Sequence, residues 1–351
     1  MYRAWIEVRW ALRFTFFVLC LFSVYVHRGE PAVATFFVAL TALFAWGAVR
    51  ALRERPRVGS GRRWLRGGLT AVAMLVLLFF AVLPVGGAIW LAQEPGDAID
   101  PPALGLAHTN VTLVTSDGVR LAGWYVPARN RAAVVLVHGA GGSREGVVRH
   151  ARLLASHGYG VLLYDARGRG ESGGSPHGQG WTWQPDLRTA MDYLAARPDV
   201  DPRRIGALGL STGAEVVLEG AARDRRITAV VADGAIARNM GEIRQLDGFE
   251  RVLAEPFYGL EFGALRVLTW STPSPHLQDL VPTIAPRPVL LVATGRDIEQ
   301  TMNRAYHAAA PATTLWELPD VGHTHGLQAH PAEYERRVVG FFDRHLLRAG
   351  S

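Results

Sequence analysis

The segment GLSTG at 209–213 puts a serine between two glycines, directly after the apolar run 204–210 and before a stretch, 212–223, with helical character. A serine on a sharp strand-to-helix turn has its hydroxyl thrust above the sheet edge, and glycines on either side remove the Cβ atoms that would block so tight a crossing. In a chain with 38 glycines some G-x-S-x-G matches arise by chance, so the flanking elements, rather than the motif, make Ser211 a candidate nucleophile. A serine hydroxyl attacks well only if a base takes its proton and a third group holds the base's tautomer. Taken in the chain order serine, acid, histidine, the base is His323 in VGHTH at 321–325, favoured by the room that Gly322 leaves, with His325 as its competitor. The acid is Asp297, which follows the apolar run 289–293 through the turn TGR; Glu299 and Asp233 are alternatives, and Asp297 could instead cap a helix beginning near Glu299. Two backbone N–H groups must face the developing oxyanion, one after the nucleophile and one from an earlier loop. Thr212 supplies the first, and Ala140 in HGAGGS at 138–143 the second.

Those residues need a sheet edge to bring them together. Residues 111–114 and 121–126 flank the turn SDG at 116–118 and read as an antiparallel hairpin. Apolar runs at 133–137, 160–164, 205–210, 229–232, 289–293 and 314–318 then alternate with helical stretches near 145–157, 185–197, 212–223, 300–310 and 331–347. Fully apolar runs of this length, spaced by helices, predict an α/β domain whose mostly parallel sheet is covered on both faces. Ligands of such sheets sit at the carboxyl ends of the strands, which is where Ser211, His138, Asp165 and Asp297 fall. The rhythm breaks over 235–287, a stretch too long for a simple crossover, which reads as a cap inserted over that edge. Trp181 and Trp183 are candidates for lining a pocket or, equally, for packing.

With Ser211, His323, the HG turn and DARGRGES at 165–172 together, residues 110–348 resemble the α/β-hydrolase superfamily, nearest to bacterial esterases and dienelactone-hydrolase-like and serine-aminopeptidase-like enzymes. Their D-x-R-G-x-G-x-S turn matches Asp165, Arg167, Gly168, Gly170 and Ser172; the resemblance implies that this turn is scaffolding, so Asp165 is not counted as catalytic. Two departures stand out: Arg169 occupies a position where many members have His, and the acid turn GRDIE leaves Asp297 and Glu299 both open. The expected activity is serine hydrolysis of an ester, thioester or amide through an acyl-enzyme, with no metal and no cofactor. The competing reading is a catalytically inactive hydrolase-like domain that binds a ligand or partner.

Ahead of this domain, residues 1–92 hold three apolar stretches, 10–26, 32–49 and 69–91, each near the ~20 residues a helix needs to cross a bilayer. A Pro-rich segment, 93–109, links them to the domain. Residues 1–92 carry 11 Arg against 3 Glu, net +8; subtracting from the whole chain's 37 basic and 31 acidic residues leaves 26 against 28, net −2, for 93–351. The basic pI of about 9.9 thus belongs to the apolar region, and the near-neutral domain offers no basic face for nucleic acid. Seven Arg between spans two and three favour a cytoplasmic link, so three spans place the hydrolase domain outside a multi-pass anchor in the cell membrane. Two spans would return it to the cytoplasm. The chain contains no Lys, which excludes Schiff-base chemistry and the phosphate loop G-x-x-x-x-G-K. Its single cysteine, Cys20, excludes an intrachain disulfide. A membrane anchor suits small-molecule or lipid-like ester or amide substrates.

Overall fold

The computed structural model describes residues 73, 76–93, 104–295 and 298–347. The chain divides into two compact units, Met1–Pro84 and Val85–Ser351. The expected spans at 10–26 and 32–49 lie outside the described residues, as does most of the linker. The third expected span, 69–91, is described in part: the chain is helical from residue 76, with a π-helical stretch Leu78–Val82 running into helix α1 (Leu83–Gln93). Among the described residues no helix is long and apolar enough to cross a membrane.

The second unit is built on one eight-stranded sheet. Strands β1 (Thr109–Val114) and β2 (Arg120–Val126) form the hairpin, in the register Thr109 to Tyr125 through Val114 to Arg120. Strands β3 (Ala133–Val137), β4 (Gly160–Tyr164), β5 (Ile205–Leu210), β6 (Ile227–Asp233), β7 (Val289–Thr294) and β8 (Thr314–Leu318) follow. The spatial order is β1-β2-β4-β3-β5-β6-β7-β8. From β4 onward every neighbour is parallel, while β2 joins β4 antiparallel. The apolar alternation of the sequence therefore sits where it should, with every residue of β3, β4, β5 and β7 buried.

Alternation within a strand divides the core into two layers. Val135, Val137, Leu162 and Tyr164 face one cluster, which takes in the helices α3 (Gln184–Ala195) and α4 (Thr212–Arg223). Val134, Leu136, Val161 and Leu163 face the other, with α2 (Val148–Ser156) and the C-terminal helical segment 331–347. The β6–β7 connection carries three helices: α5 (Met240–Ile243), the 22-residue α6 (Gly248–Thr269) and α7 (Leu277–Ile284). Of these α7 packs against α4 and against α8 (Ile298–Ala309), as a crossover helix does. Within the expected insertion 235–287, α5 and α6 occupy 240–269, and α7 belongs to the sheet's own covering layer. Arg238, fully buried, ties the start of this connection to α4 through Glu219 at 2.6 Å and Glu215 at 3.3 Å.

The turn DARGRGES is held from below. Asp165, fully buried, accepts hydrogen bonds from the Arg144 N–H (2.7 Å), the Arg144 guanidinium (2.8 Å) and the Glu171 N–H (2.9 Å). Its backbone oxygen accepts from the Ser172 hydroxyl. This is the scaffolding role the resemblance implied. Arg144 also stacks over the Trp124 ring, 4.4 Å from its centroid. Removing one member of a buried ion pair strands the other charge, at a cost of about 3–5 kcal/mol. Arg144→Met is therefore expected to lower stability by roughly 3 kcal/mol, read as a shift of the urea unfolding midpoint; an unchanged midpoint would show that Asp165 is content with its two N–H donors.

Candidate active site

Ser211 joins β5 to α4 with φ 55° and ψ −124°. A side chain rarely adopts such a backbone, and here its surroundings impose it. A Cβ on Gly209 would lie 2.1 Å from the Gly213 carbonyl oxygen, and one on Gly213 2.2 Å from that of Val137. Both glycines are needed because three backbones cross within contact distance. The Ser211 N–H donates to the Asp233 carbonyl at 2.8 Å, which pins the turn to the end of β6.

His323 stands in the loop after β8, where its Nε2 lies 2.9 Å from the Ser211 Oγ. On the far side of the ring, Nδ1 lies 2.5 Å from Oε2 of Glu299. Glu299 sits in the first turn of α8 and is 2 % exposed. Its second oxygen accepts from the Thr294 N–H (2.5 Å) and from the Thr294 hydroxyl (2.8 Å). That hydroxyl in turn accepts from the Thr324 N–H at 3.1 Å, one residue past His323. Thr294, buried at the end of β7, therefore positions both the carboxylate and the histidine loop. Sequence reasoning missed it; the only signal was a hydroxyl residue closing an otherwise apolar strand. Thr324 takes φ 54°, and Gly234 leaves the space beneath, since a Cβ there would lie 3.0 Å from the His323 ring.

Of the three acids named from the sequence, Glu299 meets the histidine, Asp233 does not bond it, and Asp297 lies outside the described residues. Helical geometry explains why Glu299 can serve: it lies in the first turn of α8, five residues past Thr294, so its side chain reaches back over the strand end. Asp233 is fully buried and accepts from the Tyr334 hydroxyl at 2.7 Å. Burial pushes its carboxyl up to about 7, against the pull of the Tyr334 hydrogen bond. His325 is exposed and begins a short helix, Gly326–Ala329.

The two expected oxyanion donors flank the serine. Thr212 opens α4, so its N–H is one of those that a helix leaves without an intrahelical acceptor. Its hydroxyl donates to the Gly178 carbonyl at 3.0 Å. Across from it, a Cβ on Gly139 would lie 3.2 Å from the Ser211 Cβ, which puts the loop carrying Ala140 against the serine. His138 shapes this loop. Its Nε2 accepts from the Ala166 N–H at 3.0 Å, so Nδ1 carries the proton and donates to the Gly139 carbonyl at 2.7 Å. Burial holds the ring neutral by moving its pKa down to about 4. His138 thus organises the strand end without joining the reacting groups.

The two tryptophans pack. Trp183 is fully buried with its ring against His138, and Trp181 lies between His177 and Phe262 while its indole N–H donates to the Arg238 carbonyl. No group of three or more His, Cys, Asp or Glu side chains among the described residues is arranged to hold a metal ion.

A family model described as serine aminopeptidase, S33, matches residues 128–284. An uncharacterized protein of Mycobacterium tuberculosis is 34 % identical over 276 residues, covering 73 % of this chain and 88 % of that protein. Among solved structures, an esterase of Pyrococcus furiosus superposes with a TM-score of 0.57 at 25 % identity, covering 72 % of this chain and 99 % of the esterase. An α/β hydrolase of Penicillium, 22 % identical with a TM-score of 0.56 over 69 % of this chain and 99 % of the other, shares the fold.

Two outcomes follow from this geometry. Glu299→Gln keeps the shape but presents an amide N–H₂ to Nδ1 or to the Thr294 donors, so the imidazole loses its tautomer; kcat is expected to fall about 10,000-fold. Asp297→Asn is expected to stay within a few-fold of the natural chain, and a reversal of the two results in ester hydrolysis would move the acid to Asp297. Asp233 makes a second case. Its folded pKa of about 7 lies above the usual 3.8, so the folded state holds a proton that the unfolded chain has lost. Stability from this group is complete below pH ~4 and declines as pH rises through 7, by roughly 4 kcal/mol in all. Asp233→Asn removes that decline, so the variant should gain on the natural chain in thermal midpoint between pH 5 and pH 8; parallel curves would show that Asp233 is ionised throughout.

Proposed function

The chain belongs to the α/β-hydrolase superfamily and is a hydrolase, and on that premise we propose a membrane-anchored serine hydrolase that cleaves an ester, thioester or amide with Ser211, His323 and Glu299 as its triad. The observation that carries the reading is the continuous chain from the Ser211 hydroxyl to His323 Nε2 at 2.9 Å and from Nδ1 to Glu299 at 2.5 Å. A binding module has no need of a base held on a serine by a buried carboxylate.

In this reaction the Ser211 Oγ attacks the carbonyl carbon while His323 Nε2 takes its proton. The imidazolium is stabilised by Glu299, whose other oxygen is already occupied by Thr294 and cannot swing away. The N–H groups of Thr212 and Ala140 receive the negative oxygen, a contribution of about 3–4 kcal/mol for each such donor. His323 then protonates the leaving group, and a water molecule, deprotonated by the same nitrogen, releases the acyl group from Ser211. Residues 240–269 serve as the cap: Phe262 and Glu261 of α6 meet Trp181 and Gln179, and Gly178, next to Gln179 in the loop before α3, accepts the Thr212 hydroxyl.

The anchor rests on the apolar stretches 10–26 and 32–49 and on the part of the stretch 69–91 that precedes Val85, and the Arg-rich link between the last two supports a hydrolase domain on the extracytoplasmic side. A fluorophosphonate probe applied to membranes from cells expressing the chain tests the catalytic part. Labelling is expected for the natural chain and lost in Ser211→Ala and in His323→Ala. Absence of labelling in folded natural protein, or labelling that persists in Ser211→Ala, would remove Ser211 as the nucleophile.

A further inference from the structure

The outward face of α6 has an unusual composition. Phe249, Val252, Pro256, Leu260, Gly263, Val267 and Trp270, at the helix's C-cap, are all exposed. They recur every three or four positions, the spacing of one face of a helix. Trp270 is 92 % exposed, Phe249 74 % and Val267 69 %. No charged residue interrupts the row. The opposite face holds Glu261, Phe262 and Leu265, which are buried, so α6 is apolar towards the core and apolar again towards solvent. Its charged residues Glu250, Arg251, Glu255 and Arg266 lie off the row, and Glu255 pairs with Arg251 and with Arg244 of the preceding loop. Soluble monomers rarely leave so long an apolar strip uncovered.

The position of the strip says what covers it. The chain enters this unit from an N-terminal region of 84 residues that carries the apolar stretches, and it enters through Val85–Gln93. That entering turn lies against α6: a Cβ on Gly87 would be 3.3 Å from the Glu261 carboxylate. It exposes two further large apolar side chains, Ile89 and Trp90. The Trp90 ring in turn touches Gly141 of the loop that carries the oxyanion donor, where a Cβ would lie 2.7 Å from it. The segment by which the chain enters thus touches both α6 and the edge of the reacting groups, and carries exposed apolar side chains of its own.

We propose that the exposed face of α6, together with Ile89 and Trp90, is seated in the acyl-chain boundary of a lipid bilayer, so that the reacting edge opens onto the membrane surface. The proposal rests on the membrane-anchored reading above. The helix lies in the plane of the interface, as amphipathic interfacial helices do. Because the charges flanking the strip on α6 are of both signs, Glu250 and Glu255 against Arg251 and Arg266, seating depends on apolar burial and does not require anionic lipid.

Full-length chain in phosphatidylcholine vesicles tests this. In a Cys20→Ser background, Trp270→Cys and Val267→Cys are labelled with an environment-sensitive nitrobenzoxadiazole dye. Ser156→Cys, exposed at the opposite edge of the sheet, is the control. Positions 267 and 270 should emit to the blue of the control and be quenched by lipids bearing a shallow nitroxide, in low and high salt alike. Emission matching the control, in protein that floats with the vesicles, would overturn the proposal and leave the anchor standing. Protein that does not float would overturn the anchored reading itself, and the proposal with it. A blue shift that ignores nitroxide lipid but grows with the protein-to-lipid ratio would assign the strip to a second copy of the chain instead.

Discussion

The close crossing of β3, β5 and the first turn of α4 is the constraint on which the site depends. At Gly209 and Gly213 there is no space for a single added carbon, so the chain must turn through a backbone conformation at Ser211 that ordinarily costs about 1–3 kcal/mol. The cost is carried by surroundings that leave no alternative. Strand β5 is buried along its whole length, β6 receives the Ser211 N–H, and the loop after β3 lies against the serine's own Cβ. The hydroxyl has one place to be, and everything else in the site is built to meet it there.

The second requirement is a histidine whose ring is held from both ends. Glu299 could in principle rotate, since a glutamate has more torsions than an aspartate. Its Oε1 is held by two donors of Thr294, which fixes Oε2 on His323. The same threonine receives the backbone N–H of Thr324. One buried hydroxyl thus holds both the Glu299 carboxylate and the loop that carries His323, and ties them to the end of β7. Asp233, one strand over, is equally buried yet is engaged by Tyr334, so two carboxyls near one imidazole have separate partners.

The strands and most of their helices were legible because burial on both faces leaves uninterrupted apolar runs, and Ser211 and His323 were legible because each follows such a run. The acid was ambiguous for a physical reason. Asp297 and Glu299 are two residues apart at a strand-to-helix junction, and which of them faces the sheet depends on where α8 starts, a boundary that propensity does not fix. Thr294 and His138 were hidden for another reason: their roles are hydrogen bonds to backbone groups distant in sequence, and nothing local marks them. The tryptophans stay open in the sequence, since two aromatics near a Gly-rich turn suit a pocket as well as a core, and only the burial of Trp183 against His138 and of Trp181 against Phe262 decides it.

The stretch 235–287 shows how far pattern reaches. Its length marked an insertion, but its division could not be read, because α7 resembles the rest of it in composition while packing as an ordinary crossover helix. What remains, α5 and α6, is held to the domain by polar buried groups as much as by apolar ones: Arg238 on Glu215 and Glu219, and Glu242 accepting from the Arg238 and Leu277 N–H groups. Such anchoring fixes the base of the connection while leaving the outer face of α6 free of any packing duty. A face with no packing duty normally becomes polar, as charge there costs nothing and exposed apolar surface promotes association. That this one stays apolar over six turns is a constraint that packing within the fold does not impose.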